Sequence, residues 1–452
     1  MVAAINVCVL FNTIRHDPYV GYDARAHFKY AQVLAKGKLP GPRQTREFFS
    51  APLPYVLPAV LLASGLTDER GAAKAVQLSN VALSVAVLFL MLGICRQLRP
   101  GDRRLQILAL LCVGMLPVYY KTFAQARGEP LVCFLVLLVI HEAVAVLCLH
   151  DNRWWRLGTL AVAVGLLPLS RQWGVLILPA VGLWAAMLWL KLRLSGRTLL
   201  RVGSILLLAL ALISGWFYLH LEARYGSIAA FNLRGSESLT LTNQPATFYL
   251  GLGGGHLFSR PVRPAFPNQL IPIFYSETWG DYWCYFLVSG RNAKGFPIAG
   301  KFLEESLGSA PTTGFETNAP RMVPYLGRVN LVSLFPTAIL LVGLGLGLGG
   351  LLRSAGRGPW GDQAAISGVL TLAALSTLVG YLWFLIMHPV PGEGDTIKAS
   401  YALQVFPLLA ILAAEFLAIL ARHAPRIFRW AWVVLLVAGL HNLPAFFTRF
   451  GS

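Results

Sequence analysis

The sequence predicts an all-α polytopic membrane protein of about eleven transmembrane helices, with amphipathic juxtamembrane helices in a first external loop and one long external loop. Three observations carry that prediction: apolar runs of span length recur along the 452 residues, 56% of the residues are hydrophobic, and only 13% are charged. Such runs must be helical, because lipid offers no water to unpaired backbone groups. The net charge of +18 fits Lys and Arg gathered in cytoplasmic loops beside anionic lipid. No basic region forms a domain of its own, so the balance of charge excludes nucleic acid as a partner. Of the six cysteines, Cys284 alone lies in a long polar region, and neither a disulfide framework nor a zinc pattern follows.

The first apolar segment, residues 1–14, lacks a basic leader and a small-residue cleavage site, so it reads as a retained span. It is short for one, and the native start is expected upstream. The first external loop, 15–75, opens on His16-Asp-Pro-Tyr-Val-Gly-Tyr-Asp23-Ala-Arg-Ala-His27-Phe-Lys-Tyr30. Asp23 and His27 are four apart and share a helix face, while Tyr22, Phe28 and Tyr30 suit the headgroup layer. Residues 51–66 are apolar but carry Pro52, Pro54 and Pro58, and they read as a peripheral helix. Spans follow at 76–95, 105–120, 131–149, 157–169, 173–190 and 202–221, then at 331–351, 364–387, 401–420 and 431–447.

Charge fixes the topology. With 51–66 peripheral, Arg96, Arg99, Arg103, Arg104, Arg153, Arg156, Lys191, Arg193, Arg197, Arg201, Arg353, Arg357, Arg422, Arg426 and Arg429 all fall on the cytoplasmic side. The chain then divides into an N-terminal membrane module (1–221), an extracytoplasmic region (222–330) and C-terminal helices (331–452). The middle region is rich in Gly, Pro and aromatics and is too long for a passive connector, so it should fold over the membrane face. Gly343, Gly345, Gly347 and Gly349 alternate in one span, where small residues allow close helix packing.

On this topology Tyr22-Asp23 with His27, Gln125-Ala-Arg127-Gly-Glu129-Pro130, Ser170-Arg171-Gln172-Trp173 and Asp395-Thr-Ile-Lys398-Ala-Ser-Tyr401 all emerge on the extracytoplasmic side. An acid beside cations suits a reaction in which a carboxylate takes a hydroxyl proton while the cations hold a phosphate leaving group. Arg127, Arg171 and Lys398 run against the positive-inside bias and are the candidate phosphate ligands, with His27 beside them. Glu129 orients Arg127 or binds sugar hydroxyls. In Tyr275-Ser-Glu277-Thr-Trp279-Gly-Asp281-Tyr-Trp283, acids mix with aromatic faces, so Trp279, Asp281 and Trp283 join Tyr22 as candidate sugar or acceptor contacts. Interfacial anchoring is the alternative for the tryptophans and helix N-capping the alternative for Asp23. Asp17, before Pro18, reads as a turn residue. His141, Glu142 and Glu415 lie inside spans and are expected to be paired.

These motifs resemble the GT-C superfamily of integral-membrane glycosyltransferases, such as the protein O-mannosyltransferases, aminoarabinose transferases and Alg-type glucosyltransferases. The acidic residue before an amphipathic helix resembles Gly21-Tyr-Asp23-Ala-Arg-Ala-His27, the Pro-rich element is similar to Ala51-Pro-Leu-Pro-Tyr55, and Arg127-Gly-Glu129 and Lys398-Ala-Ser-Tyr401 follow in family order. Arg127-Gly-Glu129 stands where oligosaccharyltransferase subunits carry paired acids, and no large soluble domain is expected after the last span. Both features weigh against that branch, and the first weighs against metal dependence and peptide glycosylation.

The resemblance implies an inverting transfer of one sugar from a polyprenyl-phosphate carrier to a glycan, lipid or protein acceptor, with Asp23 as general base. It implies a multi-pass inner-membrane location with the site facing the periplasm or exterior, membrane lipids as partners and no cofactor, and it leaves a divalent metal open. A transporter or flippase of a lipid-linked glycan is the rival reading, though the sequence shows no matched pair of broken spans in its two halves.

Overall fold

The computed structural model describes residues 1–303, 316–356, 360–390 and 392–451; Arg357 lies outside them. The chain is a multi-pass helical membrane protein. Among the described residues eight helices are long and apolar enough to cross a membrane: Glu69–Leu98, Glu129–Cys148, Gln172–Leu190, Gly196–Ile213, Leu334–Ser354, Asp362–Met387, Val405–His423 and Pro425–Phe446. A ninth is formed if Arg103–Gly114 and Pro117–Ala124, bent by 67°, count as one span.

This count does not confirm the expected eleven. Val2–Arg15 has 14 residues and Trp154–Ser170 has 17, so both are apolar helices shorter than the eight, and Trp154–Ser170 returns the chain to Arg171 beside Glu129. The expected span 202–221 also divides, Gly196–Ile213 giving way at Ser214 to a separate helix, Gly215–Tyr225.

Local sequence accounts for the breaks. Pro117 forces Leu116 into extended backbone (φ −92°, ψ 107°), which stops Arg103–Gly114 and turns the chain into Pro117–Ala124. Asp68 accepts from Gly71 N at 2.8 Å and starts the 30-residue helix Glu69–Leu98. Leu53–Ala63 has 11 residues and contains Pro58, so it is a short juxtamembrane helix. It packs against Ala24–Leu34 through stacked Tyr55 and Tyr30 rings, 4.0 Å apart.

Val405–His423 is the axis of the core, with every residue from Val405 to Ala414 buried. Gly343 lets Leu334–Ala355 approach it so closely that a Cβ there would lie 2.6 Å from Ala413 N. At the opposite extreme, Gly196–Ile213 buries Val202 and turns Leu200, Leu207, Leu208 and Leu212 outward. Its exposed leucines make a face that suits lipid better than water.

Among the described residues, the region between Tyr225 and Ala319 folds into short helices, Leu270–Trp279 the longest, and a three-stranded antiparallel sheet in which Gly290–Arg291 lies between Pro297–Ile298 and Glu316–Thr317. It is tied to the helices through Asn330, whose amide donates to Leu257 O and Ser276 Oγ at 2.9 Å each.

Candidate active site

The tight turn before Ala24–Leu34 sets the orientation of Asp23. Gly21 has φ 157° and Asp23 itself is left-handed at φ 55°, a conformation that Asp tolerates better than most side chains. Asp23 stands at the N-cap, but its backbone carbonyl rather than its side chain meets the first helical amides, Ala26 N and His27 N, at 2.8 and 3.1 Å. The carboxylate faces cations instead. Oδ1 pairs with Arg46, and Oδ2 lies 3.7 Å from Lys398 Nζ. Burial would raise the Asp23 carboxyl, but Lys398 and Arg46 outweigh it and hold the group at about 2.

The other candidate charges converge here, as the loop positions predict. Arg127 grips Glu129 in a fork, Nε to Oε2 at 3.0 Å and Nη2 to Oε1 at 2.7 Å. Arg171 reaches the same carboxylate at 3.6 Å and also holds Glu47 at 3.2 Å and Ser50 at 3.0 Å. Gly128 sits where the two arginines approach; a Cβ on it would lie 3.2 Å from Arg171 Nε. Lys398 lies 3.7 Å from Asp395 as well as from Asp23. Burial works against its charge, but Tyr401, Asp395 and Asp23 prevail and raise its pKa.

Two aromatic rings wall the cations. Arg127 and Lys398 lie 5.0 and 5.1 Å from the Tyr22 ring centre and 5.5 and 5.6 Å from that of Tyr401. Trp173 lies beside Tyr401, centroids 5.1 Å apart, and lines an apolar cleft of about 620 Å³ with Pro168, Leu176, Leu207, Tyr218 and Phe384. Two buried donors, Arg127 Nη1 and Arg171 Nε, have no hydrogen-bond partner among the described residues.

His27 does not face this space as a cation. It is buried between Tyr55 Oη at 2.7 Å and Arg171 Nη2 at 3.3 Å. Burial, opposed by Glu47 and reinforced by Arg171, lowers its pKa to about 4, so it is a neutral support for Arg171 rather than a charged phosphate ligand.

Three sugar candidates have their polar groups taken up by protein partners. Asp281 is fully buried and accepts the amides of Tyr285, Phe286, Leu287 and Val288 at 2.6 to 3.0 Å, which uses the lone pairs a sugar hydroxyl would need. Trp279 and Trp283 are buried, their indole N–H groups donating to Thr337 Oγ1 and Ile397 O at 2.8 and 2.9 Å. These aromatics pack the loop region onto the bundle. Asp17 accepts from Tyr19 N at 2.9 Å, as a turn residue does. Within the spans Glu142 pairs with His141 and Arg156, and Glu415 with Arg99.

Sequence reasoning missed Arg46, Glu47, Ser50 and Lys121. Arg46 and Glu47 sit in a charged loop that looks like a solvated linker, and Lys121 lies inside an apolar run. Among the described residues no three His, Cys, Asp or Glu side chains gather as a metal ion would require.

No protein-family model and no curated protein sequence matches the chain. Solved structures do. A crystal structure of ArnT from Cupriavidus metallidurans bound to undecaprenyl phosphate is similar over 96% of this chain and 61% of that one, at 13% identity and a TM-score of 0.50. A crystal structure of the Archaeoglobus fulgidus oligosaccharyltransferase in the apo form aligns with 100% of this chain and 56% of that one, at 14% identity and a TM-score of 0.49. The chain thus spans less than two thirds of the length of either. It shares the fold of that ArnT structure.

Proposed function

We propose that the protein is an inverting glycosyltransferase that moves a sugar from a polyprenyl-phosphate carrier to an acceptor hydroxyl at the extracytoplasmic membrane face. The observation that carries this reading is the juxtaposition of Asp23 with Lys398 and Arg127, where Arg127 Nη1 is buried without a partner among the described residues. A buried guanidinium donor left unpaired is a place for a missing acceptor, and a phosphate oxygen fits it in charge and geometry. Polyprenyl phosphate brings that oxygen to the membrane face, with its tail in the apolar cleft beside Trp173. The undecaprenyl phosphate bound by ArnT, which has the same fold, supports this choice of ligand.

In the proposed reaction the acceptor oxygen attacks the sugar C1 from the face opposite the phosphate. The C1–O bond to phosphate breaks with its electron pair going to the phosphate oxygen, and the acceptor proton goes to the Asp23 carboxylate. Arg127 and Lys398 hold the charge that develops on the phosphate, Arg171 and Glu129 keep Arg127 in place, and a phosphate leaves without acid assistance.

The test is sugar transfer, to added acceptors or to water, from a synthetic polyprenyl-phosphate sugar by the purified protein in lipid nanodiscs. Asp23→Asn should lower the rate by about two to four orders of magnitude, the usual worth of a general base. Wild-type turnover by that variant removes Asp23 from the role. Binding of the donor with no turnover by the wild type points to a transporter.

A further inference from the structure

The mechanism leaves one fully buried ion pair unused. Lys121 and Glu277 are both 0% exposed. Lys121 Nζ donates to Glu277 O at 2.9 Å, to Gly280 O at 3.1 Å and to the Glu277 carboxylate. These bonds use all three of its N–H groups, so Lys121 is no phosphate ligand. The bend at Leu116 carries it to the end of Leu270–Trp279, and there Glu277 accepts a hydrogen bond from the Tyr22 hydroxyl. Tyr22 is itself buried, its ring meeting Tyr285 edge to face at 4.8 Å and lying over both Arg127 and Lys398.

We infer that Glu277, anchored by Lys121, is a positioning residue for donor binding: through the Tyr22 hydroxyl it fixes the aromatic face that holds Arg127 and Lys398 at the phosphate position. The inference rests on the reading of those two cations as phosphate ligands.

An ammonium and a guanidinium side by side repel each other, and a ring face that attracts both holds them together without using their N–H donors. Those donors stay available to an anion. A phenol also rotates about its Cβ–Cγ axis and swings on χ1 unless its hydroxyl is tied, and here the tie is a carboxylate whose own place is set by a lysine with three acceptors. A charge-assisted bond of this kind is stiffer and stronger than a neutral one, and it makes the ring a richer π donor. Burying an ion pair is an expensive way to stabilise a fold, since apolar residues of similar volume serve as well. It is an effective way to hold a tyrosine that faces two cations.

The test uses full-length protein in nanodiscs, undecaprenyl phosphate as the probe, and the variants Tyr22→Phe, Glu277→Gln and their double. The first keeps the ring and loses the tie; the second keeps an acceptor and loses the charge. Tyr22→Phe should weaken undecaprenyl phosphate binding by about tenfold, within the range of a weakened contact between a ring and desolvated cations. Glu277→Gln keeps an acceptor for the Trp283 amide as well, so it should weaken binding less, and the double variant should bind no more weakly than Tyr22→Phe if Glu277 acts on the donor through the hydroxyl. In turnover the donor KM should rise with kcat nearly unchanged.

Tyr22→Phe binding like wild type overturns the inference. So does Glu277→Gln weakening binding as much when added to Tyr22→Phe as when made in the wild type, which is the mark of a general structural role. A wild-type protein that fails to bind undecaprenyl phosphate removes the donor reading and this inference with it. That result is distinct from one in which the wild type binds and the variants bind equally.

Discussion

Glu129→Gln tests whether the arginines of the site depend on one shared carboxylate. Glu129 is almost fully buried and lies 2.7 and 3.0 Å from Arg127 and 3.6 Å from Arg171. At an effective dielectric of about 20, each unit-charge contact over these distances is worth roughly 4 to 6 kcal/mol before desolvation is counted. Much of that is offset by the cost of burying the ions, but the offset is not recovered when one partner is removed. Arg171 keeps Glu47, whereas Arg127 loses its fork. The variant should therefore lose about 3 to 5 kcal/mol, the range for breaking a buried pair. Unfolding midpoints in a mild detergent, variant against wild type, measure this directly. Undecaprenyl phosphate should then stabilise the variant more than the wild type, because an uncompensated Arg127 attracts the anion more strongly; at a concentration of 100 Kd the stabilisation is about 2.7 kcal/mol. A variant within about 1 kcal/mol of wild type, well below the smallest loss expected for a broken buried pair, refutes the reasoning, for it means that the arginines are compensated elsewhere.

Two buried neutral histidines predict sensitivity to mild acid. Burial lowers both His16 and His27 from 6.5 to about 4, so between those values the unfolded chain binds more protons than the folded one. Stability should fall as pH drops from about 6.5 toward 4, by roughly 3 kcal/mol for each group. His27→Gln should flatten that slope in unfolding midpoints taken across this range; an unchanged slope for the variant contradicts the assignment. The glycine-rich span gives a paired prediction. A Cβ on Gly343 meets Ala413 backbone at 2.6 Å, whereas one on Gly345 meets nothing within 4 Å. Gly343→Ala should thus destabilise the fold by about 1 to 3 kcal/mol through overpacking, and Gly345→Ala should stabilise it by about 0.5 to 1 kcal/mol. Thermal unfolding of the two variants side by side decides, and equal effects dispose of the packing argument.

The contrast between those glycines shows where sequence is legible and where it is not. The fold class could be read because lipid imposes helices on every apolar run, and the convergence of Asp23, Arg127, Glu129, Arg171 and Lys398 because a charge at a span end needs a local reason. Partners distant in sequence leave no such mark. Glu47 meets Arg171 across 124 positions and Lys121 meets Glu277 across 156, and neither member of either pair has a sequence neighbour that announces the other. Composition misled at Trp279, Asp281 and Trp283, since an aromatic and acidic cluster looks the same whether it binds a ring or plugs a core. What separates the two is whether the indole N–H and the carboxylate oxygens already have protein partners, which only coordinates reveal. The glycines alternate in sequence with period two, but helical period sorts them, so Gly343 and Gly347 pack while Gly345 faces open space.

Asp23 presents a chemical difficulty that its neighbours resolve. A carboxylate held at about 2 is a poor base at neutral pH, because catalysis favours a group whose proton affinity lies near the working pH. Lys398 largely sets that value, and Lys398 is also a proposed phosphate ligand. A donor phosphate arriving beside Lys398 draws the ammonium away from Asp23 and adds negative charge next to it; both effects raise the proton affinity of the carboxylate. The base thus strengthens as the leaving group is seated, so donor binding and proton transfer are linked through one lysine. Lys398→Gln separates the two. It should raise the donor KM by one to two orders of magnitude, as expected for the loss of a charge-assisted contact, while at saturating donor kcat falls far less than in Asp23→Asn, since Asp23 is already released from its counter-ion. An unchanged donor KM, or a kcat as low as that of Asp23→Asn, breaks the proposed link.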